Sequence, residues 1–207
     1  MPTSTNKICD HFRKVDTTIL EILINMNLSL WINPKIAKKE KLEYFQSLCR
    51  QIISQQLSGK AADTIQGRFE ALFPKKIVTP EKLLEHKDQT LRDAGMSWAK
   101  ASYIKNIATA ILSDDFRWND FHKLSDEDVV AELTKIKGVG RWTAEMFLMF
   151  TLGREDVFSH GDIGLRRGIE NLYNLENPSK KKIECIVSVW KPYRTYGSIA
   201  LWQSLEK

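Results

Sequence analysis

Long apolar runs are missing from this chain of 207 residues. That removes a membrane-spanning helix, which needs about 20 apolar residues in a row. Cysteine is scarce as well. Cys9, Cys49 and Cys185 are odd in number and far apart, a pattern of reduced thiols rather than of a disulfide framework. They are too few for a zinc or iron–sulfur site, and the histidines at 11, 86, 122 and 160 show no ligand spacing. No phosphate loop or dinucleotide fingerprint occurs. The N-terminus is polar through Asp10 and lacks a signal peptide's apolar core, so the expectation is an intracellular protein. Neither sign of charge dominates. Lys and Arg number 31 against 26 Asp and Glu, a net charge of +5, which suits a polyanionic partner without demanding one. Alternation with period two is also nearly absent, which leaves little room for sheet.

What is present is a series of short apolar stripes at helical spacing. An apolar content of 43% with ten glycines and six prolines marks a folded chain, long enough for one core or two small ones. Residues 1–9 read as a flexible leader. From Asp10, the positions Phe12, Val15, Ile19, Leu23 and Met26 predict one helix that ends before Asn33-Pro34. Leu42, Phe45, Leu48, Cys49, Ile52 and Ile53 form the next stripe. It is interrupted at Ser54-Gln55-Gln56-Leu57-Ser58-Gly59, and Ala61, Ile65, Phe69 and Leu72 follow, closed by Pro74. Thr79-Pro80 opens a short helix through Leu83 and Leu84. Ser97 caps the stripe from Ala101 to Leu112, and Ser125 with Asp128 resembles a capping box leading to Val129 and Leu133. After Gly140 the chain is apolar nearly all round through Phe150, so this helix is expected to be central. Further helices follow Asp162, Pro178-Ser179 and Pro192. The fold class is all-α, with nine or ten short helices.

The stretch from Leu133 to Gly168 carries the chemistry. In Gly138-Val139-Gly140 two glycines permit a tight backbone, with Val139 anchoring the hairpin. The first amides of the helix starting at Arg141 then offer a phosphate seat, flanked by Lys135, Lys137 and Arg141. Asp162, at the head of a later helix, has two readings that do not exclude each other. It caps that helix, or its carboxylate faces a nucleotide sugar, stabilising positive charge or orienting a water as a glycosidic bond breaks. No second acid pairs with it. Trp142 is either a core residue or the wall of a base pocket. His160 is a surface residue or a support for Asp162, and Lys180-Lys181-Lys182 reads as a wet helix face. Gln55-Gln56 is either a polar helix junction or an amide poised to fill a gap in a duplex.

Residues 136–144, IKGVGRWTA, with Gly161-Asp162, resemble the helix-hairpin-helix DNA glycosylases, and among them the alkylbase, 3-methyladenine DNA glycosylase II branch. SQQLSGKAA at 54–62, Gly95-Met96-Ser97 with Lys100, and Lys191-Pro192-Tyr193-Arg194 extend the likeness from about residue 40 to 202. The resemblance implies two helical lobes with DNA in the cleft between them, one lobe at 45–155 and the other from 10–44 with 156–207. It implies removal of a damaged base flipped out of the duplex, with Asp162 as the catalytic aspartate. Gln56, with Leu57, falls on the residues that fill the vacated gap, and Lys137, Gly138, Val139, Gly140 and Arg141 on those that take the DNA backbone. Trp142, Met146, Trp98 and His160 are the candidates for the base pocket. Bifunctional relatives place a Schiff-base lysine where this chain has Trp142, so the covalent route is closed at that position. Met146 stands where a related branch has a pocket tyrosine.

The family hairpin commonly holds a monovalent cation, Na+ or K+, on backbone carbonyls that map to Thr134, Ile136 and Val139; no other cofactor is implied. Some members carry an extra N-terminal β domain, for which this sequence has no room. The resulting expectation is a monomeric, monofunctional DNA N-glycosylase of base excision repair, acting on alkylated purines, chiefly 3-methyladenine, in double-stranded DNA. Its place is the cytoplasm or nucleoid of a prokaryote or the nucleus of a eukaryote. The rivals are a non-catalytic helix-hairpin-helix module that binds DNA structure and a helical scaffold with no nucleic-acid role.

Overall fold

The computed structural model describes residues 5–28, 40–57 and 59–206, and helix is the only regular structure among them. In chain order the α-helices are α1 (Thr5–Val15), α2 (Thr17–Leu23), α3 (Lys41–Ser54) and α4 (Gly59–Glu70). Then come α5 (Pro80–Glu85), α6 (Asp88–Asp93), α7 (Trp98–Leu112) and α8 (Asp126–Leu133). The last four are α9 (Arg141–Phe150), α10 (Ile163–Leu172), α11 (Lys180–Val187) and α12 (Arg194–Ser204). The all-α expectation holds, with more and shorter helices than the stripes suggested. No helix among the described residues is long and apolar enough to cross a membrane.

The chain divides into two compact units, Met1–Ile36 with Leu148–Lys207, and Ala37–Phe147. The resemblance placed the divisions at 44/45 and 155/156, some eight residues further along each time. The start of α3 belongs with the second unit because Tyr44 and Phe45 are buried there (2% and 0% exposed) along with Leu48 and Ile52.

In the first unit, α1, α2, α10, α11 and α12 enclose a core that includes Phe12, Ile19, Leu165, Val187, Trp190 and Ile199. Two expectations about its N-terminal part fail. Residues 5–9 are no leader, since α1 begins at Thr5 and Ile8 is only 2% exposed. The single helix from Asp10 is instead two helices broken at Asp16, whose extended backbone caps α2 through Ile19 N–H (3.2 Å). The predicted end at Asn33-Pro34 lies outside the described residues.

Asp16 breaks the helix because its other oxygen is needed elsewhere. It accepts from the Tyr173 hydroxyl at 2.5 Å and from Trp190 Nε1 at 2.8 Å. Burial, and then the Asp16 carboxylate, push the Tyr173 hydroxyl far above its usual range, so it stays a donor. Asp16→Ala removes a helix cap and strands two largely buried donors. A cap is worth roughly 1 kcal/mol and a stranded donor about 1–3 kcal/mol. Urea unfolding should therefore show a loss of about 3 kcal/mol or more; a loss under about 1 kcal/mol would mean that water replaces the carboxylate.

In the first unit α10 also packs tightly on α12. A Cβ at Gly168 would lie 2.9 Å from the Leu201 Cβ and 3.1 Å from its carbonyl oxygen, so this glycine sets how close the helices come. That approach carries the head of α10 to α12, where the candidate acid sits.

In the second unit α3 packs on α7, which buries Ala101, Ile104, Ile107 and Ala108 completely. The expected caps are present. Ser97 accepts from Lys100 N–H (3.1 Å), Thr79 from Lys82 N–H (3.4 Å) and Ser125 from Asp128 N–H (3.2 Å). Leu42, Leu84 and Leu112 had been placed in the apolar stripes, yet all three are exposed. Each lies near a helix end, where the stripe runs off the packed face.

Candidate active site

The hairpin between α8 and α9 is built by short backbone bonds. Ile136 N–H reaches the Leu133 carbonyl at 3.1 Å, and Val139 N–H closes the turn on the Ile136 carbonyl at 2.9 Å. Ile136 and Val139 are buried and pin the turn to the second unit's core. From α7, Asn106 Nδ2 donates to the Lys137 carbonyl (2.9 Å). Tyr103, one turn earlier on the same helix, lies against Gly138, whose φ is +103°. A Cβ there would lie 2.6 Å from the Tyr103 Cβ and closer still to its ring. The two glycines are therefore not equivalent. Only Gly138 needs to be a glycine on these grounds, because a Cβ at Gly140 meets nothing within 4 Å and its φ is ordinary.

Charge around the hairpin is less free than the sequence suggests. Arg141 donates to Glu127 through both terminal nitrogens (2.7 and 3.2 Å) and to Glu145 through Nε (2.9 Å). These hydrogen bonds hold the Glu127 carboxyl below its usual range and raise the guanidinium further. Lys135 is joined to Glu132 at 2.5 Å. Lys137 is exposed and makes no ion pair among the described residues, which leaves it as the hairpin's open cation.

Asp162 belongs to the first unit and does cap α10, with φ −82° and ψ 120°. Its Oδ1 accepts from Leu165 N–H at 2.7 Å and from the indole Nε1 of Trp202 at 3.1 Å. Two N–H groups on one oxygen fix the orientation of the carboxylate. Trp202 in turn lies 5.9 Å from the Phe150 ring, centroid to centroid. Gly164 makes the approach possible, since a Cβ there would sit 3.0 Å from Trp202 Cδ1 and 3.1 Å from Asp162 Oδ1.

Trp202 was not singled out from the sequence. Trp118 and Trp190 prove to be fully buried core, and Trp31 lies outside the described residues. A usable signal was there: Gly164 and Gly168, four apart, share one face of α10 and mark a close helix approach.

The remaining candidates fall in both units. Trp142, at the start of α9, is half-buried. Met146 is only 3% exposed. Trp98 is 57% exposed at the first turn of α7, with the Arg92 guanidinium 5.2 Å from its ring centre. His160, in the first unit, is exposed and bound through Nε2 to Glu184 at 2.9 Å. Gln56 and Leu57 both project into solvent just after α3. Lys180, Lys181 and Lys182 are exposed on α11, as a solvated face should be.

A family model described as HhH-GPD superfamily base excision DNA repair protein matches residues 49–192. DNA-3-methyladenine glycosylase 1 of Schizosaccharomyces pombe is 36% identical over 172 residues, which cover 80% of this chain and 74% of that protein. The solved structure of the Schizosaccharomyces pombe 3-methyladenine DNA glycosylase in complex with abasic DNA aligns with a TM-score of 0.80. Its identity is 30%, over 97% of both chains. A DNA-3-methyladenine glycosidase of Bacillus halodurans aligns with a TM-score of 0.74 at 35% identity, covering 98% of this chain and 89% of that one. The matched span contains the hairpin, the capping aspartate, the second half of α3 from Cys49 and all of α4 to α11. The chain belongs to the helix-hairpin-helix (HhH-GPD) superfamily of base excision DNA repair proteins, on its alkylbase (3-methyladenine) DNA glycosylase branch.

Proposed function

We propose that this protein hydrolyses the N-glycosidic bond of alkylated purines in double-stranded DNA, 3-methyladenine foremost, with water as nucleophile and without cutting the strand. The observation that carries the reading is Asp162. It is a carboxylate oriented by Leu165 N–H and Trp202 Nε1, in a chain whose Schiff-base position holds Trp142 instead of an amine. A purine alkylated at N3 or N7 carries positive charge, so its bond to the sugar is weak before the enzyme acts. A lone carboxylate suffices to stabilise the oxocarbenium-like sugar or to orient the attacking water, and no second acid is required to protonate the leaving base.

In this reading the hairpin binds the DNA backbone through the first amides of α9 and Lys137. Arg141 acts less as a phosphate contact than as a brace that ties α9 to Glu127. Gln56 and Leu57 enter the gap that the flipped nucleotide leaves. A single copy suffices, in whatever compartment holds the DNA.

The cation that the family hairpin implies has a fitting donor set here. Among the described residues, the Thr134 and Val139 carbonyls accept no turn hydrogen bond, and the Ile136 carbonyl accepts one, from Val139. Three carbonyls with spare lone pairs suit a monovalent cation. When bound, such an ion would add positive charge beside the phosphate seat. Lys137 and the amides of α9 bind the backbone in their own right.

The test separates hydrolysis from lyase chemistry. Methylated duplex DNA treated with the protein should accumulate abasic sites that break only on heating in alkali, and borohydride should trap no protein–DNA adduct. A strong adduct would mean that a lysine elsewhere has taken over, and absence of abasic sites would favour a structure-binding module. Affinity for a duplex with an uncleavable abasic analogue should also fall steeply from low to physiological salt, as phosphate contacts release counterions. An affinity indifferent to salt would contradict the phosphate seat.

A further inference from the structure

The exposed pair Gln56-Leu57 stands on a loop whose backbone does not follow from its own sequence. α3 stops at Ser54, Gln55 leaves the helix at ψ 129°, and Gln56 adopts φ +58°. That left-handed conformation disfavours any residue with a Cβ, so something outside the loop must impose it. The Ile52 and Ser54 carbonyls accept from Gln55 N–H (3.4 Å) and Leu57 N–H (3.2 Å), whereas the Ile53 carbonyl takes no backbone N–H among the described residues.

Lys100, on the first turn of α7, supplies what is missing. Its Nζ donates to the Ile53 carbonyl and to the Gln55 carbonyl, both at 2.8 Å. The ammonium sits at the C-terminal end of a helix, where its charge is favoured. A second tie lies on the other side of the loop, from Gln55 Nε2 to the buried hydroxyl of Thr143 at 2.8 Å. The loop is thus fastened at its root twice, while Gln56 and Leu57 are exposed. Partial burial of the ammonium lowers the Lys100 pKa, a cost that a purely solvated lysine avoids.

We infer that Lys100 is a positioning residue for strand opening: its grip on these two carbonyls holds Gln56 and Leu57 in the projecting form that fills the gap in the duplex. The inference rests on the gap-filling reading of Gln56 and Leu57. A loop fixed beforehand spends none of the binding energy on being ordered when the nucleotide leaves the stack. Lys100 acts through the loop and touches neither base nor sugar.

The experiment follows 3-methyladenine release in single turnover from one methylated strand, either annealed to its complement or alone. The quantity read is the ratio of the annealed to the single-strand rate constant, which isolates the opening step. Lys100→Met should lower this ratio at least about tenfold, and Lys100→Arg, which keeps donors and charge, should restore most of it. Gln56→Ala should lower it too, and the double variant should be no worse than Gln56→Ala alone, because both act on one step. An unchanged ratio in Lys100→Met with a lowered one in Gln56→Ala overturns the role of Lys100 and leaves the gap-filling reading standing. An unchanged ratio in Gln56→Ala overturns that reading, and the inference with it. Equal slowing on both substrates makes Lys100 merely structural and also overturns the inference. Urea unfolding accompanies each variant, and if Lys100→Met does not fold, Lys100→Gln, whose amide still holds one carbonyl, is judged by the same ratio.

Discussion

Asp162→Asn should lower single-turnover release of 3-methyladenine about 10²–10³-fold, the range seen when one transition-state stabilising group is lost. The structure makes this substitution unusually clean. Asparagine keeps an oxygen that can accept from Leu165 N–H and Trp202 Nε1, as Asp162 Oδ1 does. The cap of α10 and the seat of the indole therefore survive. What goes is the negative charge that the proposed mechanism sets opposite the sugar, and the capacity to take a proton from water. Some release remains, because a cationic purine leaves slowly even unaided. Equal rates in the two proteins at matched thermal stability would reduce Asp162 to a helix cap.

Gly138→Ala should abolish most DNA binding, by about tenfold or more in affinity, and should also cost stability. Two penalties coincide at this position. A Cβ is disfavoured at φ +103° and collides with the side chain of Tyr103. Backbone strain of this kind costs roughly 1–3 kcal/mol, and overpacking costs a similar amount. The turn must shift to relieve them, and its amides and the Lys137 carbonyl bound by Asn106 shift with it. Gly140→Ala is the control for stability: with nothing within 4 Å of the added methyl, its urea unfolding should stay within about 1 kcal/mol of wild type. Equal losses in the two variants would show that the hairpin demands glycine at both places for reasons other than Tyr103. Trimming Tyr103 to alanine should return part of the stability lost in Gly138→Ala, as expected of coupled neighbours.

How much of this was legible in the sequence follows from the range of the forces involved. Asp162 at the head of α10, the serine and threonine caps and the apolar anchor Val139 are local, and a few consecutive residues declare them. The break at Asp16 is not local. Its partners lie 157 and 174 residues away, and the apolar spacing runs on through the break because α1 and α2 bury side chains in one core. Gly138 was legible as a glycine with a purpose, but not the reason for it, since Tyr103 faces it from another helix. Its neighbour Gly140 looked equivalent and is not. Trp202 reaches Asp162 across 40 residues, so no window around the acid could reveal it. Arg141 read as an open cation because Glu127, 14 residues earlier, gives no sign of being its partner. Lys100 belonged to a recognisable motif, yet only the fold shows its ammonium on the carbonyls that end α3.

The central claim is the identity of the bond that is broken and of the base that leaves. It is tested most directly by mass-spectrometric identification of the bases freed from randomly methylated duplex DNA by wild-type protein and by Asp162→Asn. The account predicts free 3-methyladenine from the wild type, far less from the variant, and a strand left intact with abasic sites. Release of no methylated base, or equal release by both proteins, would contradict it.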